Sequence, residues 1–288
     1  MNINIYDVSK KAGVSIATVS RVLNGNTRVS EKTRDKVINA MKELDYTPNV
    51  FARGLGLNTM KTIGIMCIDS SDIYLANAVY YLEQELRKYN YDSILCCTGK
   101  DYNNKKNYLE LLLSKRVDGI ILAGSQFVEN TNEHNNDYII NAAKDVPIVL
   151  VNGYLNADNI YSVMCNDEEA VYNATKLLIN NSHRNIVYLY TSTSYSGMNK
   201  YRGYLKAINE AGITLPDEFH HLCGKNISHA RDYLTYLYDK GMKFDAVMTS
   251  DDSIAAGAVK FAHTHGIRIP EDLEVIGYNN SVLSLCTE

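Results

Sequence analysis

Residues 5–25 read IYDVSKKAGVSIATVSRVLNG, and the fold of the first part of the chain turns on them. Ile5, Val8 and Ala12 recur at helical spacing, and the run then meets Gly13, a residue suited to the positive φ of a helix exit. Ser15 is a good N-cap, and Ile16, Val19, Val22 and Leu23 follow at i, i+3, i+6 and i+7. Two short helices across so tight a turn give helix-turn-helix spacing. Ser30 opens a third helix with Glu31 in its first turn, and Val37, Ile38, Met41 and Leu44 form one apolar face able to close over the first pair. With Val19, Val22 and Leu23 turned inward, Ile16, Ala17, Ser20 and Arg21 remain on the outer, N-terminal part of the second helix, free to touch a partner.

The charge of the chain points to what that partner is. Residues 1–60 hold nine Lys/Arg against five Asp/Glu, so of the 29 and 33 in the whole chain the remainder keeps 20 against 28. A basic head on an acidic body is an electrostatic hint of nucleic-acid contact at one end. The 288 residues suit one large or two ordinary domains with a small appendage. Hydrophobic residues at 45% and charged residues at 22% exclude a disordered or fibrous chain. Apolar stretches such as Ile63–Ile68 are strand-sized, short of the roughly 18 residues that a bilayer span needs. The N-terminal MNINIYDVSKKAG shows no apolar core followed by a small-residue cleavage site, which points to the cytosol. Cys67, Cys96, Cys97, Cys165, Cys223 and Cys286 have no CxxC pair and no metal-like spacing with histidine, so they read as reduced thiols that serve as small buried hydrophobes. Nothing in the sequence calls for a metal or a cofactor.

The segments YDVSKKAGVSIATVSRVLNG, VSEKTRDKVINAMKELDYTPN and FARGL resemble the DNA-binding head and hinge of the LacI/GalR family of bacterial transcriptional regulators, almost residue for residue across Ile5–Leu55. The resemblance implies that the second helix lies in the major groove with Ile16, Ala17 and Arg21 at the base-reading positions. An arginine fork on a guanine edge discriminates by about 1–3 kcal/mol, whereas Ile16 and Ala17 offer apolar contact such as that with a thymine methyl. It also implies phosphate contacts from the side chains or amides of Tyr6, Ser15, Thr18, Ser20, Asn24, Val29, Ser30, Thr33 and Tyr46, which set register without reading sequence. Ser15 and Ser30 serve as helix caps at the same time.

Thr47-Pro48-Asn49 breaks the chain, and VFARGLGL after it is a weak helix because of Gly54 and Gly56. By resemblance this hinge folds on operator DNA, pairs with its twin in a second subunit and pushes Leu55 into the minor groove, with Asn49, Ala52 and Arg53 beside it. Such wedging costs a few kcal/mol in unstacking and is offset by the surface that the kinked duplex brings into contact. Gly56 stands where some relatives carry a charge.

From Thr62 short β-rich runs (TIGIMCI, SILCCT, DGIILAG, PIVLVNG, YSVMC, NIVYLY, FHHLC, FDAVMTS, LEVIGY) alternate with amphipathic helices at Leu75–Tyr89, Lys105–Ser114, Glu168–Asn180, Lys200–Ala211, Ala230–Lys240 and Ser253–Gly266. That alternation predicts parallel sheets covered on both faces. The connection Asn152–Tyr161 has no helix, which places the passage between two lobes there. The expected fold is an all-α helix-turn-helix headpiece (1–46), a hinge and linker (47–60) and an α/β two-lobed body like a type I periplasmic binding protein (61–288), with lobes at about 61–155 and 160–288. Ligands in such sheets sit beyond the carboxyl ends of strands. Those ends carry Asp69, Ser70, Ser71, Tyr74, Gly124, Ser125, Asn152, Tyr154, Tyr195, Lys200, Asp251 and Asn279. Amides, carboxylates and tyrosine rings are the chemistry of sugar recognition, and the resemblance supports Asn152, Lys200, Asp251 and Asn279 as effector contacts.

Two positions depart from the family. KYRGY carries Lys200 where the pattern R-x-x-G-[FY] has arginine, a point charge in place of a planar fork, with Arg202 two residues on. GYNN carries Asn279 where many relatives have aspartate. An enzyme is disfavoured because no GxGxxG follows a strand and neither GxxxxGK[ST] nor GxSxG occurs; His220, His221, His263 and His265 read as structural or solvated rather than catalytic. A transport binding protein would fit the lobes but not the basic head. The expected partners are therefore operator DNA, a small carbohydrate effector and a second copy of the chain in a homodimer, with the effector shifting the lobes and thereby the heads. The family continues beyond GYNN with another crossover, so the resemblance implies a chain shortened at its carboxyl end, with apolar surface near Leu283 and Leu285.

Overall fold

The computed structural model describes residues 3–25, 27–47, 59–128 and 133–287. The headpiece holds α1 (Ile5–Ala12), α2 (Ile16–Leu23) and α3 (Glu31–Glu43). Asn4 caps α1 in a reciprocal box with Asp7, and Gly13 closes it at φ 66°, the left-handed turn that glycine makes without steric cost. Ser15 and Ser30 cap α2 and α3 by accepting from the amides of Thr18 and Thr33. Val8, Val19, Val22, Val37 and Ala40 are buried together, and Leu23, Met41 and Leu44 pack against them. Ile38, expected on the inward face of α3, is instead 37% exposed. Ala40 holds the central inward position next to Val37, and one turn of helix cannot aim both Val37 and Ile38 at the same core.

The body holds two parallel sheets. The first has the order β2-β1-β3-β4-β5, built from β1 (Thr62–Cys67), β2 (Asp92–Cys97), β3 (Gly119–Ala123), β4 (Ile148–Val151) and β5 (Ile160–Val163). The second has the order β7-β6-β8-β9, from β6 (Ile186–Tyr190), β7 (His220–Leu222), β8 (Ala246–Thr249) and β9 (Glu274–Ile276). Helices α4 (Ile73–Lys88), α5 (Tyr102–Ser114), α6 (Asp137–Ala142), α7 (Asp167–Asn180), α8 (Tyr195–Glu210), α9 (Ile227–Asp239) and α10 (Asp252–His265) connect the strands.

The inner strands show why both faces are covered. Along β6, Ile186 and Tyr188 enter one core with Val171, Tyr204 and Met248, while Val187 and Leu189 enter another with Phe219, Leu234, Val247 and Phe261. A strand alternating between two dry faces must be apolar throughout, and IVYLY is. The first lobe has its core around Met66, Leu112, Ile120, Leu122, Ile139 and Ile148.

The lobe boundary differs from the sequence expectation. Strand β5, assigned above to the second lobe, pairs in register with β4, Ile148 opposite Ile160 and Val151 opposite Val163, and so completes the first sheet. The chain reaches the second lobe only after Val163. A parallel pair joined without a helix is shorter than the usual crossover, so in the sequence a helix-free stretch reads as a passage between lobes. Asp118 anchors the start of the body: it accepts from Thr59 Oγ1 at 2.6 Å, the Met60 amide at 2.9 Å and the Thr62 amide at 3.3 Å. Leu285 lies exposed and Leu283 half-buried in the last described turn. No helix among the described residues is long and apolar enough to cross a membrane.

Candidate functional site

In the headpiece, burial of Val19 and Val22 fixes the rotation of α2, and the opposite face is left to solvent. Ile16 is 38% exposed, and Ala17 and Arg21 are exposed beside it. Thr18 and Ser20 flank this face half-buried. The Ser15 and Thr18 hydroxyls stand 2.9 Å apart at the start of α2, as do those of Ser30 and Thr33 at the start of α3. Both pairs therefore sit at the positive ends of helices, where backbone N–H groups and hydroxyls together suit an anion. Tyr6 is exposed on α1, Asn24 closes α2, and Val29 and Tyr46 pack half-buried against the headpiece core. Asn49, Ala52, Arg53 and Leu55 lie outside the described residues.

Between the lobes, one cavity collects Tyr74, Ser125, Asn152, Lys200, Asp251 and Asn279 from the twelve strand-end positions named above, together with Gly124. Ser71 and Asp69 line an adjoining cavity that shares Tyr74, Asp251 and Asn279. Ser70, Tyr154 and Tyr195 line neither. Tyr154 is 48% exposed, because the turn after β4 carries it away from the cleft. Tyr195 is the first residue of α8, and the cavity is lined instead by the loop before it, Thr191, Ser192 and Ser194.

Lys200 is buried on α8. Its ammonium donates to the Ser250 carbonyl at 3.1 Å and lies 3.7 Å from the centre of the Tyr278 ring, a cation–π contact. Burial pulls its pKa below the ordinary lysine value, against the fields of Asp167 and Asp251. Tyr278 donates to Asp167 Oδ1 at 2.5 Å, and Ser196 donates to Asp167 Oδ2 at 2.5 Å. Burial, followed by that bond to a carboxylate, raises the Tyr278 phenol well above its usual range. Asn279 donates to Asp251 Oδ2 at 3.1 Å, and Asn152 donates to the Tyr74 hydroxyl at 2.7 Å.

Among the described residues, two polar contacts cross from lobe to lobe. Lys225, on the loop after β7, pairs with Asp72 of the first lobe and stands 3.4 Å from Asp251 of the second. Although burial works against its charge, Asp251 and Asp72 outweigh it and hold Lys225 above the ordinary lysine value. Ser125 donates to Ser194 Oγ at 2.9 Å.

The sequence reading omitted Asp72, Asp167, Lys225 and Tyr278. Asp167 and Lys225 follow the runs YSVMC and FHHLC closely, so the strand-end rule already applied to the other runs would have found both. Among the described residues no cluster of His, Cys, Asp and Glu could hold a metal ion.

The ring of carboxylates, amides, hydroxyls and two ammonium groups can hydrogen-bond a small polyhydroxylated ligand from both lobes at once. Residues 4–49 match "Bacterial regulatory proteins, lacI family", and residues 60–285 match "Periplasmic binding proteins and sugar binding domain of LacI family". The chain is 55% identical to an HTH-type transcriptional regulator of Lachnoclostridium phytofermentans, over 99% of this chain and 85% of that one. It is 33% identical to catabolite control protein A of Priestia megaterium, over 99% of this chain and 84% of that one. In fold it is similar to the lac repressor dimer bound to operator and the anti-inducer ONPF, with a TM-score of 0.87 at 23% identity, over 100% of this chain and 85% of that one. The Lachnoclostridium relative is a transcriptional regulator, and the matching headpiece family is one of bacterial regulatory proteins rather than enzymes.

Proposed function

Because the chain belongs to the LacI family of bacterial regulatory proteins, we propose that it is a cytoplasmic repressor that binds a pseudo-palindromic operator as a homodimer and releases or tightens its hold when a sugar enters the interlobe cavity. The family assignment makes it a DNA-binding regulator of transcription with a helix-turn-helix head and a sugar-binding-type body. The finer reading rests on one observation: α2 is locked from within by Val19 and Val22 while Ile16, Ala17 and Arg21 stand outward together. Arg21 reads a guanine edge, Ile16 and Ala17 meet apolar base surface, and the Ser15/Thr18 and Ser30/Thr33 pairs with Tyr6, Ser20, Asn24, Val29 and Tyr46 hold phosphates. Asn49, Ala52, Arg53 and Leu55 act at the centre of the site.

Tyr74, Ser125, Asn152, Lys200, Asp251 and Asn279 hold the effector, joined by Asp167 and Tyr278. Ser70, Ser71, Tyr154 and Tyr195 fall outside that inner ring and act at most at its mouth. A ligand that reaches across from Asn152 to Lys200 competes with the Lys225–Asp72 and Ser125–Ser194 contacts, and so biases one lobe arrangement over another. Selection of sites from a pool of random duplexes by the full chain tests the reading. An inverted repeat with two half-sites about one helical turn apart is the expected product. A single unrepeated site, or no enrichment, contradicts a dimeric operator-binding mode.

A further inference from the structure

Spacing along the chain hides one relation among the cysteines. Strands β1 and β2 run parallel in register with Cys67 opposite Cys97. In-register partners leave a sheet on the same face, and the two sulfurs stand 3.6 Å apart. Cys67 is fully buried and Cys97 is exposed. Cys96, the vicinal neighbour, points to the other face, in register with Met66, and is buried. Strand neighbours lie about 4.7–4.9 Å apart, inside the Cα window of about 4.4–6.8 Å that a disulfide tolerates. Among the described residues β2 is the outer strand of its sheet, paired only with β1.

We propose that Cys67 and Cys97 form a reversible intramolecular disulfide when the protein meets a two-electron oxidant of the peroxide class. The exposed Cys97 reacts first. As thiolate it attacks a peroxide oxygen, the O–O bond breaks, and Cys97 becomes a sulfenic acid while the departing hydroxide takes up the proton that the Cys97 thiol gave up and leaves as water. Cys67 then attacks the sulfenic sulfur, the S–O bond breaks, and the hydroxide takes up the Cys67 proton as a second water. Two thiols lose two electrons and one hydrogen peroxide becomes two waters. Burial, together with the neighbouring Cys97 thiol, pushes Cys67 up to about 12. It therefore stays a thiol and does not meet the peroxide first, and it is the 3.6 Å approach of the two sulfurs that lets it resolve the sulfenic acid.

The place of the bond gives it a consequence. Cys67 leads into Ile68 and Asp72 of the cavity wall. Cys97 leads into Thr98 and Gly99, whose amides donate to the carbonyls of Cys67 at 2.9 Å and Ile68 at 3.0 Å. A covalent tie here fixes the cleft edge of the first lobe, next to the Asp72–Lys225 contact between lobes. Intracellular disulfides of this exposed kind are the labile, redox-sensing ones.

The full chain, reduced and then treated with hydrogen peroxide, is digested without reductant and mapped by mass spectrometry. One peptide pair joining Cys67 to Cys97 is expected in monomeric chains, with two thiols lost from six, both restored by dithiothreitol. Cys97→Ser, at an exposed position, and Cys67→Ser each abolish that pair, while Cys165→Ser and Cys286→Ser leave it. A Cys96–Cys97 link, an intermolecular link through Cys97, or Cys97 driven to sulfinic acid with Cys67 still a free thiol overturns the proposal.

Discussion

Asp167 and Lys200 show how single residues carry the cleft. Asp167 is 5% exposed and accepts the hydroxyls of Ser196 and Tyr278. Hydrogen bonds to a charged acceptor contribute about 1.5–3 kcal/mol, and deletion leaves the buried Ser196 and the half-buried Tyr278 hydroxyls searching for partners. Asp167→Ala is expected to lower the unfolding free energy of the body by roughly that amount in urea titration; an unchanged midpoint would mean that the two hydroxyls find other partners at no cost. Lys200 makes a pH prediction. Its folded pKa is lowered by burial, so between that value and the ordinary lysine value near 10.5 the unfolded chain binds more protons than the folded one, and stability rises with pH. Below that window the buried charge is a standing penalty. The stability of the native chain relative to Lys200→Met is therefore expected to rise as pH climbs through the window, read by thermal unfolding at a series of alkaline pH values. A difference that falls with pH contradicts the sign. Residue identity was legible where chemistry is local: Lys200, Asp251 and Asn279 were found in the sequence, and all three line the cavity. Asp72 was not, because its meaning lies in an ion pair with Lys225, far away in the chain.

At the scale of elements, the packing of α7 on α8 depends on a residue that carries no side chain. A Cβ on Gly203 would stand 2.2 Å from the Glu168 carbonyl oxygen and 3.0 Å from the Tyr172 amide nitrogen. Backbone cannot yield as a flexible side chain can, so the glycine of KYRGY is there to let two helices meet. Gly203→Ala is expected to destabilise the second lobe by about 1–3 kcal/mol or more, the range for overpacking, measured by chemical denaturation; a neutral effect would show that the helices slide apart freely. The helices themselves were legible, since their apolar periodicity is written locally. Their starts were less so: α8 begins at Tyr195 and not near Lys200, because Ser194 caps it by accepting from the Gly197 amide. Strand β5 was placed in the wrong lobe because pairing is a long-range choice, and four residues of alternating exposure carry no label for the sheet they join.

For the whole molecule, the head, the two sheets and the cavity between them form one device only if the head reads DNA. The headpiece was the most legible part of the chain, since a small helical core has few ways to bury Val8, Val19, Val22 and Val37. The cleft was legible as a place, from the rule that ligands gather at strand ends, and less so as a composition. The most direct measurement compares binding of the full chain and of Arg21→Ala to the selected inverted repeat and to random duplex, across a series of salt concentrations. For the native chain, log K is expected to fall linearly with log salt on both duplexes, with the inverted repeat bound at least a thousandfold more tightly, the lower end of the usual specificity range. Arg21→Ala is expected to lose about 1–3 kcal/mol per half-site, on the repeat alone. Equal affinity of the native chain for repeat and random duplex, or an equal loss on both in the variant, would contradict sequence reading by α2.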